Sequence, residues 1–177
     1  MEEAQKCAER MNKLVGKYVV RPSKWSGVVV ESAEGYSYKH PACFIGVYLK
    51  DCPDDAILHE MIHSVSTDYY PNEIYSHNKA IEEASVQLAT KKIAELEGIK
   101  YSHSGYEKWV KILEDFNKEV GIADDLTFAK RLLRLPPDIK MDWLIARARR
   151  FIEKGSGSLY ELIKITESLN KIDWDEL

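Results

Sequence analysis

The chain has 177 residues, 45% of them hydrophobic, which is enough to bury a core of one domain or of one domain with a helical extension. Its net charge of −4 and pI near 5.8 provide no basic field for a nucleic-acid backbone, so a nucleic-acid partner is not expected. No segment reaches the roughly 20 apolar residues that span a bilayer, and the opening MEEAQKCAERMNKL is acidic and amphipathic, so a cytoplasmic protein without membrane contact is expected.

Cys7, Cys43 and Cys52 are odd in number and lack CxxC spacing. They read as buried free thiols, with no disulfide framework or thiolate metal site. In chain order, Ala4, Cys7, Ala8, Met11 and Leu14 recur at helical spacing and predict a first helix stopped by Gly16. Three β-like runs follow, KYVVR, GVVVES and CFIGVYLK, separated by Pro22, Gly27 and a turn region GYSYKHP. Pro53 with Asp54 or Asp55 then supplies the first turn and cap of a helix through HEMIH.

After a polar loop, DYYPNEIYSHN, a long helix is predicted over about 78–97, ended by Gly98. The remainder reads helical. SGYE at 104–107 has the form of a capping box, Gly121 closes the helix that it opens, and Pro136-Pro137 and GSGS punctuate further helices. The expected fold class is α+β: a small N-terminal antiparallel or mixed sheet packed on the HEMIH helix and the following glutamate helix, then a helical C-terminal lobe. Residues 1–100 would form the catalytic core, and 101–177 a helical extension completing one compact domain.

His59 and His63 stand four apart, one above the other on one helix face, so both imidazoles can meet one ion about 2.0–2.1 Å away. Glu60 is turned about 100° from His59, badly placed as a ligand but able to reach a water on the metal, and is the natural general base. Catalytic zinc takes three protein ligands plus a water, so a third ligand must come from elsewhere. The segment NKAIEEASVQLAT offers Glu82 and Glu83.

HEMIH followed by AIEEA resembles the gluzincins, the HExxH zinc metallopeptidases of thermolysin-like motif, over about residues 44–96, and the chain's size is similar to that of the minigluzincins. The resemblance implies Zn²⁺ as cofactor, a peptide or protein as substrate, and Glu83 as third ligand, with 19 residues between it and His63. The gluzincin aminopeptidases use an interval one residue shorter, which would select Glu82. On the helical wheel Glu82 lies nearer the centre of the apolar face of Ile81, Val86, Leu88, Ala89, Ile93 and Leu96. Glu83 is preferred because a ligand facing a cleft should lie at the margin of the core, where desolvation is incomplete.

The resemblance further implies an acidic residue one turn after the ligand, where this chain has Gln87, an acceptor without charge. An oxyanion donor is also implied, with Tyr75 the first candidate and His77 and His103 the others. The run at 44–49 stands where gluzincins place the edge strand that pairs with substrate, although its continuous apolarity equally suits a covered core strand. The expected activity is peptide hydrolysis by a metal-activated water with Glu60 as general base. The alternative is a latent or inactive zincin-fold protein whose helical lobe, with Trp109, Trp143 and Trp174, serves protein interaction.

Overall fold

A computed structural model of the chain describes residues 1–33, 36–40, 45–48, 53–66, 72–102, 105–155, 164 and 167. Six helices and three short strands make up the described residues, an α+β protein in which helix predominates. Two compact units divide the chain, one of Met1–Ser66 with Ala89–His103 and the other of Thr67–Leu88 with Ser104–Leu177.

The first unit opens with helix α1, Glu2–Val19. Gly16 does not stop it, because Ala4, Ala8, Met11, Val15 and Val19 continue one buried stripe past the glycine. Each large side chain in that stripe contributes about 1.5–3 kcal/mol by burial, which outweighs the roughly 1 kcal/mol that a mid-helix glycine costs. The expected strand KYVVR is therefore mostly helix. It ends at Val20, whose left-handed φ of 51° closes α1 without a glycine.

Strands β1 (Val29–Glu31), β2 (Tyr38–Lys39) and β3 (Ile45–Val47) form a mixed sheet in the order β1-β3-β2. β3 pairs parallel with β1 and antiparallel with β2. β2 lies within the expected turn region, and β3 is the covered central strand, so it has no free edge for an added strand. Phe44 and Leu49 of the proposed edge strand lie outside the described residues. Tyr38 stands opposite Gly46 in the register, and its ring occupies the space that a Cβ at Gly46 would need.

Helix α2, Asp54–His63, packs against α1, β2 and β3. Its N-cap is Pro53, and neither Asp54 nor Asp55 caps it. Both aspartates instead anchor its first turn. Asp54 accepts from the Arg10 guanidinium and from the Cys7 thiol at 3.2 Å, while buried Asp55 accepts from the Ser102 N–H at 2.7 Å and from its hydroxyl at 2.9 Å. At the other end, the Lys24 N–H donates to the Ser64 carbonyl at 2.9 Å. The helix is thus fixed at both ends by polar bonds to distant chain segments, which holds its side chains in register with the sheet.

Helix α3, Asn72–Glu97, starts earlier than the apolar pattern indicates, so Tyr75 and His77 are helical and not in a loop. Gly98 ends it with a φ of +64°. Residues 80–90 are buried on every side of the helix, including Glu82, Glu83, Ser85, Gln87 and Thr90, whereas Leu96 is exposed. The one-faced wheel drawn from the sequence therefore does not describe this helix.

The second unit also contains α4 (Glu107–Val120), α5 (Asp125–Leu133) and α6 (Pro137–Glu153). α4 begins at Glu107 behind Tyr106, so Glu107 is its first residue and not the third residue of a capping box; Ser104 lies outside the described residues. Gly121, at φ 61°, closes α4 by donating its N–H to the Asn117 carbonyl. The buried Asn117 amide then donates to the Ala123 carbonyl and to Asp125, and Asp124 caps α5 by accepting from the Thr127 N–H. Phe116, Phe128 and Trp143 stack in a column that joins the three helices.

Candidate metal centre

His59 and His63 occupy the last turn and a half of α2, where four-residue spacing brings their side chains together. Their Nε2 atoms are 3.1 Å apart, with ring centroids at 4.9 Å and the planes inclined by 73°. His59 is buried and His63 half-buried. One donor atom each from His59, His63 and Glu83 lie within 4.8 Å of one another, a grouping able to hold a metal ion. Of the two adjacent glutamates, Glu83 belongs to the group.

The donor chemistry fits a divalent metal. Two nitrogens, each about 2.0–2.1 Å from one ion at a near-tetrahedral angle, stand ~3.3 Å apart, close to the observed separation. A single hydrogen bond between the imidazoles also suits that distance, but it involves only the histidines. Two imidazoles and a carboxylate are donors that a divalent metal accepts.

Glu82 points elsewhere. Its Oε2 accepts from Lys140 Nζ of α6 at 2.5 Å, and both side chains are buried, the lysine completely. Lys140 leaves a signal in the sequence. Pro137, Lys140, Leu144 and Ala148 are the buried positions of α6, and a lysine inside an apolar stripe at helical spacing calls for a buried anion.

Tyr75 lies eight residues before Glu83 on α3, and its hydroxyl donates to Glu83 Oε1. Burial, followed by the nearby Glu83 charge, raises the phenol well above its ordinary range and keeps it protonated as a donor. The bond makes Tyr75 a partner of Glu83 within the grouping. His77 is exposed on α3, and His103 lies outside the described residues. Gln87 is buried one turn after Glu83. Glu60 is half-buried on α2 between the two histidines.

The chain matches no known family model, curated protein or solved structure. Any reading of the centre therefore rests on its own residues. Among the described residues, no helix is long and apolar enough to cross a membrane.

Proposed function

We infer that the protein is a zinc-dependent metallopeptidase of the gluzincin type, with His59, His63 and Glu83 as metal ligands and Glu60 as general base. The observation that carries this reading is the convergence of three donor atoms from His59, His63 and Glu83 within 4.8 Å of one another. When bound, zinc supplies Lewis acidity toward a carbonyl oxygen and makes water a nucleophile at neutral pH.

Glu60 is the neighbour of one ligand and stands on the same short helix as both histidines. Its carboxylate takes a proton from the attacking water and returns it to the leaving amine. Tyr75 orients the Glu83 carboxylate by its hydrogen bond, in the manner of the outer partners that hold metal ligands in place. The interaction-module alternative draws less support, because Trp109 is buried beneath Tyr106 and is not offered to a partner.

Zinc-loaded protein and its Glu60→Gln variant, incubated with a mixed peptide library and followed by mass spectrometry, test the reading. Cleavage by the parent and loss by several orders of magnitude in the variant, with zinc retained in both, is the expected result. Zinc retention with no cleavage by the parent would favour the latent protein instead.

A further inference from the structure

Five of the seven arginines of the chain lie between residues 131 and 150, whereas lysine supplies most of the positive charge elsewhere. Three of them, Arg131, Arg134 and Arg147, line a concavity of about 240 Å³ together with Leu135 and Trp143. Arg131 lies in the last turn of α5 and Arg134 caps that helix, while Trp143 and Arg147 stand one turn apart on α6.

Among the described residues, none of these three guanidinium groups has a carboxylate partner, although the chain carries 29 acidic residues. Cations at the C-terminal end of a helix are favoured by its dipole, which accounts for Arg131 and Arg134. It does not account for Arg147, which comes from a different helix to the same concavity.

The floor of the concavity is held in place. The Trp143 ring stacks on buried Phe128 at 6.3 Å, which stacks on Phe116 at 6.1 Å, and the Arg147 guanidinium carbon lies 5.0 Å from the Trp143 ring centre. An arginine held over a fixed indole loses little side-chain freedom when it binds an anion. Three guanidiniums around one space, without a carboxylate partner among the described residues, repel each other, and a multiply charged anion relieves that repulsion while matching their forked donors.

We propose that this concavity is a binding site for a phosphoryl anion, of pyrophosphate size and charge, held by Arg131, Arg134 and Arg147. Its volume is below the roughly 300–1,000 Å³ of sites that enclose a whole drug-sized ligand, so it takes the phosphoryl end of its ligand. The anion is either free or the terminus of a small metabolite.

Isothermal titration of the full chain with phosphate, pyrophosphate and ADP at low ionic strength tests the site. One saturable pyrophosphate site is expected, tighter than the site for phosphate. Arg131→Gln and Arg147→Gln should each weaken it by about tenfold or more, the loss of one charged hydrogen-bonding partner. Arg149→Gln, on α6 but outside the lining, should leave it unchanged, and circular dichroism on each variant controls for folding.

ADP binding equal to that of pyrophosphate would support a site for the phosphoryl group alone; tighter ADP binding would support a site for a nucleoside diphosphate. Absence of saturable binding by all three would overturn the proposal. Equal weakening by Arg149→Gln, or binding of a single-stranded oligonucleotide that pyrophosphate does not displace, would do so as well.

Discussion

Lys140 and Glu82 form a buried ion pair, with the ammonium 2.5 Å from Oε2 and the lysine wholly withdrawn from solvent. Removing one partner leaves the other charge buried and uncompensated, which costs about 3–5 kcal/mol. Lys140→Met should therefore lower the stability of the protein by that amount in urea denaturation. The double variant Lys140→Met/Glu82→Leu should recover most of the loss, since a buried pair replaced by apolar side chains is often neutral. A double variant no more stable than Lys140→Met would show that the pair is not the source of the effect.

Tyr75 and Glu83 share a hydrogen bond on one helix, which separates two roles for the tyrosine. If it orients the ligand, Tyr75→Phe should weaken zinc binding by about tenfold, as loss of an outer partner does. If it stabilises the oxyanion, the variant should bind zinc like the parent and lose turnover alone. Zinc affinity measured beside kcat on the same preparation distinguishes the two, and the geometry predicts the first.

The Cys7 thiol is raised to about 12 from an ordinary 9.0, chiefly by burial and then by the Asp54 carboxylate that accepts its hydrogen bond. Well below pH 9 it holds about a thousandfold less thiolate than its ordinary value allows, and alkylation slows in proportion. Iodoacetamide labelling mapped by mass spectrometry should find Cys7 unmodified in folded protein and labelled in urea. Because the folded value lies above the unfolded one, the stabilisation is complete below about pH 9 and is lost as pH rises toward 12. Cys7→Ala should flatten that part of the stability profile. An unchanged alkaline profile would remove the linkage.

The elements legible in the sequence were those whose cause is local. HEMIH on a helix, the Gly98 and Gly121 stops, and strands within GVVVES and CFIGVYLK follow from spacing and backbone chemistry. Where tertiary packing decided, local pattern failed. Gly16 stays inside α1 because Val15 and Val19 are buried, and β2 forms in a segment rich in turn residues because Tyr38 covers Gly46.

The two glutamates show the same division. AIEEA identified the pair, but no helical wheel could assign them, because residues 80–90 are buried on all sides. Lys140, 58 residues from Glu82, fixes the direction of one carboxylate, and although its place in an apolar stripe calls for a buried anion, sequence spacing does not say which one.

That partnership predicts unequal effects on metal binding. Adjacent helical residues point about 100° apart, so only one of the two carboxylates can share an ion with the histidines. Glu83→Gln should weaken zinc by at least about tenfold, as even an outer partner does. Glu82→Gln should lower stability and leave zinc affinity in the folded protein near that of the parent. Chelator competition on both variants measures this, and the reverse order would move the ligand to Glu82.

The claim on which the rest depends is that His59, His63 and Glu83 hold one metal ion. Equilibrium dialysis of the purified chain against buffered zinc at neutral pH, with metal analysis of the retained protein, tests it most directly. One zinc per chain is predicted, lost in His59→Ala and His63→Ala while circular dichroism stays unchanged. A parent chain that retains no zinc after dialysis, or His63→Ala protein that retains as much as the parent, would contradict the account.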